Sequence, residues 1–215
     1  MVFFKDTVVI QVCIALAIAL GAEAPVFSHF SSAPAADDFA ARRALWLEQL
    51  QDAGEGAWSA LARLRAGETA DEGPFFAICD DLDVKDDCDD FSMFPLLRLM
   101  CQFGPKVSPE LAARAKQALL DGKYWPDEGG ADSMCTWSEN HQFAYCVDAY
   151  LAGQLYPEDT FSRAKHTGRE KMARFRPRIE RWLDFRFRTG FSEWLSNDYY
   201  SLDIASLTLL MDFAA

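Results

Sequence analysis

Cys135-Thr136-Trp137-Ser138-Glu139-Asn140-His141-Gln142 runs directly into Phe143, Val147, Tyr150 and Leu151, apolar residues at helical spacing. Ser138 carries the short side-chain oxygen that caps a helix start. The pattern predicts a helix from there to about Gly153 and Pro157. The same grammar repeats outward along the chain, with Gly and Pro breaks between helical patterns and almost no alternation of the strand type.

Upstream, Ser108-Pro109-Glu110 reads as a cap, a proline in the first turn and an acid at the positive end of the dipole; that helix ends at Gly122. Phe91 to Phe103 reads as a buried helix with Met93, Leu96, Leu97, Met100 and Cys101 inward, and Pro95 is expected in its first turn. Asp37 or Asp38 caps a helix to about Gln51, and a short helix covers about Ala57 to Arg65. Cys79 to Asp90 reads as an acidic loop. Downstream, Thr167-Gly168-Arg169-Glu170 fits a capping box. Met172, Phe175, Ile179, Trp182 and Leu183 then recur at helical spacing, with Pro177 expected to kink or split the helix. Ser201 starts a last helix through Ile204, Leu207, Leu210 and Met211. The predicted fold is all-α, built of helical hairpins.

The chain has 215 residues, half of them hydrophobic, enough to bury one core. Lys and Arg number 21 against 33 Asp and Glu, a net charge of -12. This argues against generic nucleic-acid binding, while leaving room for a local basic surface. Lys5 precedes an apolar run from Thr7 to Leu20, followed by Gly21-Ala22-Glu23-Ala24. The run is shorter than the about 20 residues of a membrane span. It reads as a signal peptide over 1–24, followed by a flexible spacer over 25–36 and a helical domain over 37–215. Asp6 cancels the charge of Lys5, and Pro25 disfavours a cut after Ala24; a cut after Gly21 avoids that. The alternatives are an uncleaved anchor or a buried helix. Export implies a secreted or periplasmic protein with no stable membrane insertion after cleavage.

In that compartment Cys79 and Cys88 form the most natural disulfide among Cys79, Cys88, Cys101, Cys135 and Cys146. No Cys/His spacing typical of zinc is present, and the aspartates at 80–90 miss the EF-hand pattern, so neither metal nor cofactor is expected. The apolar final helix has no polar outer face, which suggests the N-terminal part of a longer protein. The alternative is a complete bundle whose last helix is central. Oligomeric state is not legible.

Two stretches carry the candidate site. In the first, Asn140 and His141 fall in the opening turn of a helix, where the dipole disfavours an imidazolium and leaves a neutral base. His141, Tyr145 and Asp148 share one side of that helix. Trp137 and Glu139 adjoin them. The second stretch is Gly190-Phe191-Ser192-Glu193-Trp194-Leu195-Ser196-Asn197-Asp198-Tyr199-Tyr200, preceded by Arg186 and Arg188. Glu193 lies between Phe191 and Trp194, and burial there would raise its pKa as a general acid requires. The plainer readings are a histidine bonded to a loop carbonyl and tyrosines that only close a hairpin. The basic run from Arg163 to Arg188 reads as a solvated face partly paired with acids, or as a positive wall for an anionic ligand.

The segment from Asp86 to Phe213 resembles a group of exported bacterial and fungal proteins without an assigned activity. These carry Trp-Ser/Thr-Glu-Asn-His and Gly-Phe-Ser-Glu-Trp segments followed by paired tyrosines. More loosely, it is similar to the α/α-toroid polysaccharide lyases of the alginate lyase and heparinase type. There an Asn-His pair at a helix start meets an Arg and a Tyr from a later hairpin. The resemblance implies a toroid and β-elimination on an acidic, uronate-containing polysaccharide. Asn140 and Arg188 would neutralise the carboxylate, with Arg186 a rival to Arg188. His141 or a tyrosine would take the C5 proton, and Tyr199 or Tyr200 would protonate the leaving oxygen. Trp137, Glu139, Tyr145, Trp194 and Arg186 would line the substrate. Two rivals stand beside it. One is a glycoside hydrolase on the same toroid, using Glu139 and Glu193. The other is a non-catalytic glycan-binding or scaffold domain, with Trp125, Trp137 and Trp194 as stacking surfaces.

Overall fold

The structure, a computed structural model, describes residues 39–52, 54–84, 88–131, 133–193 and 195–215. The signal peptide and spacer expected over 1–36, and the cap expected at Asp37 or Asp38, lie outside the described residues. Among those described there are eight α-helices, one 3₁₀ turn and no strand, so the fold is all-α.

The described residues fall into two compact units, divided between Asp71 and Glu72. In the first unit, α1 (Phe39–Asp52) packs on α2 (Ala57–Ala66). α2 closes on Gly67, a left-handed residue whose N–H reaches the carbonyls of Arg63 and Leu64.

The second unit comprises α3 (Gly73–Val84), α4 (Asp89–Phe103), a 3₁₀ turn (Gly104–Lys106), α5 (Pro109–Asp121), α6 (Glu139–Leu155), α7 (Gly168–Thr189) and α8 (Tyr200–Phe213). α6 is its axis. From Phe143 to Gly153 every residue of α6 is buried, as a helix surrounded by others must be. α4, α7 and α8 pack around it, while α3 packs on α4 and α5. The expected caps are in place: Ser108 accepts the Leu111 N–H at 3.1 Å, and Thr167 and Glu170 form a reciprocal capping box.

α6 and α7 form the hairpin that sets the site. At one end the two backbones almost touch. A Cβ on Gly168 would lie 2.3 Å from the Tyr156 carbonyl oxygen and 2.5 Å from that of Gly153. At the other end Trp182 stacks on Phe143 at 3.8 Å, nearly parallel, and its Nε1 donates to the Glu139 carbonyl at 3.3 Å.

Several expectations need correction. Gly73–Val84 is helical, with Phe75, Cys79 and Leu82 buried, so part of the acidic loop is α3. The acids occupy its outer face, where Asp80 and Asp83 both pair with Arg114. No disulfide joins Cys79 to Cys88. α4 begins at Asp89, which places Pro95 inside the helix rather than in its first turn. Pro177 does not split α7, which runs unbroken for 22 residues.

The basic run is mostly paired: Arg169 with Glu158, Arg174 with Asp127, Arg176 with Glu180 and Arg188 with Asp184. Lys171 is no part of a solvated face. It is fully buried and bonded to Glu128 at 2.7 Å, against the rings of Tyr124, Phe161 and Phe175. Burial lowers its pKa to about 8. No helix among the described residues is long and apolar enough to cross a membrane.

The Gly153–Gly168 contact makes a direct prediction. Gly168→Ala meets backbone on both sides and cannot be relieved by rotating a side chain. It should destabilise the protein by about 2 kcal/mol or more, within or above the overpacking range, as read by urea denaturation. A Gly168→Ala protein as stable as the parent would contradict this helix spacing.

Candidate functional site

Ser138 enters α6 in extended conformation, and its hydroxyl accepts the His141 N–H at 3.5 Å. Asn140 Oδ1 accepts the same N–H at 2.9 Å and also takes the Ser138 hydroxyl proton. Asn140 is thus enclosed in the cap. The cap orients His141 toward α4, where Nδ1 lies 2.8 Å from Asp90 Oδ2. Phe91 stacks against the imidazole at 4.5 Å, and Tyr145 lies beyond it at 6.4 Å. An aspartate on Nδ1 selects the tautomer with its proton there, which makes Nε2 the basic nitrogen. Asp90 is fully buried; burial raises its pKa to about 6, and the hydrogen bond from His141 limits the rise. Asp148, farther along α6, is also fully buried, and among the described residues neither carboxylate oxygen has a hydrogen-bond partner. Burial, then repulsion from Asp90, hold its pKa well above the usual carboxylate range.

The second stretch meets the first through Glu139. Its Oε2 accepts the Ser192 N–H at 2.5 Å, and its Oε1 lies 3.3 Å from Arg186 Nε. Arg186 in turn donates to the Ser192 hydroxyl at 3.1 Å and the Gly190 carbonyl at 3.4 Å. Phe191 wedges between Trp182 and Tyr200, edge-on to each. Glu193 is half-buried in this loop. Burial raises its pKa, Glu139 adds to the rise, and His141 opposes it. Asp203, in the first turn of α8, is fully buried, and among the described residues neither of its oxygens has a hydrogen-bond partner. Burial, then Glu139 and Glu193, raise it to about 7 against the pull of Arg186.

The structure therefore brings Glu139, His141, Arg186 and Glu193 together and adds Asp90 and Asp203. It does not bring Arg188, which is 70% exposed and pairs with Asp184 on its own helix. Tyr145 is core beneath His141. Tyr199 is exposed at the start of α8, and Tyr200 is half-buried against Phe191. Trp137 holds its ring in solvent, 79% exposed, directly before the cap. Trp194 lies outside the described residues. Trp125 is covered by Arg178 at 4.4 Å and meets Phe175 edge-on.

Sequence reasoning missed Asp90 and Asp203 as site residues. Asp90 was hidden in the acidic run; its one signal is its place directly before Phe91 in a first helical turn. Asp203 had the signal of an acid three residues after the paired tyrosines, in an otherwise apolar helix start. Among the described residues no group of three or more His, Cys, Asp and Glu side chains is arranged to hold a metal ion. No protein-family model, curated protein or solved structure matches the chain.

The raised carboxylates fix a sign for the pH dependence of stability. Asp90 and Asp203 have folded pKa values of about 6 and about 7, against 3.8 when unperturbed. The folded state holds these protons where the unfolded chain releases them. Their stabilisation is complete below 3.8 and is lost as pH rises through about 7. The thermal midpoint should fall between about pH 5 and pH 7.5, and Asp203→Asn should flatten the upper part of that fall. A midpoint that rises over this window in the parent, or an unchanged slope in Asp203→Asn, would contradict the assignment.

Proposed function

We propose that the protein is an exported carbohydrate-active enzyme that cleaves a glycosidic linkage by general acid–base catalysis. The observation that carries this reading is the buried Asp90–His141 hydrogen bond beside Glu193. Asp90 holds the imidazole in one tautomer, and Nε2 of His141 is the base that takes a proton from the attacking water. Glu193, whose pKa is raised by burial, is the acid that protonates the leaving oxygen. Glu139 has a different task. One of its oxygens holds the Ser192 N–H and the other faces Arg186, so it positions the loop that carries Glu193. The sugar class is supported by the family resemblance and by Trp137, whose open ring suits stacking on a pyranose. We read the helical hairpins as part of an α/α toroid on the same resemblance.

β-Elimination on a uronate is the second reading, favoured by one observation: Arg186 lies in the same cluster as His141. It requires that guanidinium to leave Glu139 for the substrate carboxylate. Asn140 is enclosed in the helix cap and Arg188 faces solvent, so the other two neutralising groups of that reading are not in place. Glu139, Glu193, Asp203 and Asp90 surround the cluster with acids, and this field opposes a polyanion.

The test is turnover on a panel of neutral, amino and uronate polysaccharides. His141→Ala and Glu193→Gln should each lower the rate by about 10²–10⁴, the range for a positioned acid or base. Reducing ends should appear without the ultraviolet absorbance of an unsaturated sugar. That absorbance would instead establish the lyase, and full activity in both variants would remove the acid–base assignment.

A further inference from the structure

Asp90 and Phe91 are consecutive in the first turn of α4, and both act on one imidazole. Asp90 Oδ2 holds His141 at Nδ1, 2.8 Å away. Phe91 lies against the face of the same ring, with centroids 4.5 Å apart and planes 24° from parallel. A single hydrogen bond fixes a point and not a plane. Alone, it leaves the imidazole free to rock about the line from Nδ1 to the carboxylate. It also leaves the ring free to turn over about its Cβ–Cγ bond whenever the hydrogen bond opens. A flat ring packed on the face blocks both motions, because each drives imidazole atoms into it.

The backbone is shaped to bring the two side chains in together. α4 starts from Cys88, a residue with a Cβ held in the left-handed region at φ 72°, where a helix start is ordinarily extended. Such a conformation persists only where the surrounding structure imposes it. The Cys88 carbonyl accepts the Phe91 N–H at 3.0 Å, so this turn places Phe91 directly. Phe91 is buried in its turn and backed by Phe94, centroids 5.7 Å apart and tilted at 55°. The face partner of the imidazole therefore has support of its own. Tyr145, one turn along α6, lies nearly parallel to the imidazole at 6.4 Å. The His141 side chain keeps 10% of its surface open, while Asp90 keeps none.

We propose that Phe91 is a positioning residue for His141: it fixes the plane of the imidazole that Asp90 holds by one atom. This deepens the reading above, in which Nε2 takes the proton. With Nδ1 pinned, Nε2 is the nitrogen that a tilt of the ring displaces. The placement of the ring is a property of the folded chain and can be read without turnover.

The experiment is nuclear magnetic resonance of the full chain labelled with ¹⁵N in its imidazoles. The chain has 3 histidines, so His141→Ala assigns the signal. Phe91→Leu keeps an apolar side chain and removes the flat face. Phe91→Met, whose flexible chain fills the same space, gives the same comparison where Leu does not fold. Leu97→Ala, buried farther along α4, is the control for a loss of stability alone. The parent should show the tautomer protonated at Nδ1, with a proton that exchanges slowly with water. In Phe91→Leu that exchange should quicken by about tenfold or more, and in Leu97→Ala it should stay within about twofold of the parent. On a polysaccharide that the parent cleaves, Phe91→Leu should lower kcat by about tenfold or more with KM within about twofold, the mark of a misplaced group and not of lost binding.

A Phe91→Leu protein with the parent's tautomer and exchange rate would overturn the proposal. So would an equal quickening in Leu97→Ala. A quickened exchange in a protein whose parent has no turnover would sink the enzymatic reading and keep the positioning role. A fall in kcat with the imidazole signal unchanged would do the reverse.

Discussion

Glu139 ties the start of α6 to the loop that leaves α7, and the rest of the site depends on that tie. One carboxylate oxygen takes a backbone N–H from Ser192, the other faces Arg186, and the residue's own carbonyl takes the indole N–H of Trp182. The two stretches lie some fifty residues apart in the chain, and the hairpin alone brings them only to the same end of the bundle. The ion pair and the two hydrogen bonds fix the final few ångströms. They also set Phe191 between Trp182 and Tyr200, so the loop has an apolar anchor beneath its polar clamp. The helix dipole assists, because Glu139 opens α6 and an anion there is favourably placed.

How far this was legible in the sequence depended on which force set each feature. Helix starts were readable because their chemistry is local: Ser108, Ser138 and Thr167 each sit where a hydroxyl must meet an N–H a turn later. The meeting of the two stretches was also readable, since Trp, Glu, Asn and His crowded at one helix start need a partner. α3 was obscured because its acids drown the Phe75, Cys79, Leu82 spacing that buries it. Arg186 and Arg188 could not be ranked from spacing. Two residues' difference in helical phase turns the first toward Glu139 and the second to solvent, and that phase is set by Trp182 stacking on Phe143. Asp90 and Asp203 enter the cluster through tertiary contacts, and their local signals, a place directly before Phe91 and one three residues after Tyr200, do not separate them from other acids at helix starts.

Lys171 shows the same limit from the opposite side. By composition it is one more cation in a basic helix, yet it is fully enclosed with Glu128. The pair is well satisfied: Glu128 also takes the Tyr124 N–H, and three aromatic rings border the ammonium. It joins the loop after α5 to the first turn of α7, at the opposite end of α7 from Trp182 and Arg186. Buried pairs of this kind add little net stability compared with apolar packing, but they penalise any other register severely. Here that penalty falls on rotation of α7 about its axis, and that rotation decides which arginine reaches Glu139.

Asp148 and Asp203 stand apart from this satisfied pair. Apolar residues of their size would stabilise α6 and α8, because each acid brings a polar group into the interior with no donor to meet it. Each is set beside other acids: Asp148 by Asp90, and Asp203 by Glu139 and Glu193. Held neutral, Asp148 keeps a second negative charge away from the aspartate that orients His141, and it leaves the proton affinity of that dyad to Asp90 alone. Burial, with Glu139 and Glu193 nearby, raises Asp203 to about 7 against the pull of Arg186. α6 carries Asp148 within the stretch from Phe143 to Gly153, which is buried throughout against α4, α7 and α8, and a helix enclosed in this way can hold an unsatisfied polar group in place without giving way.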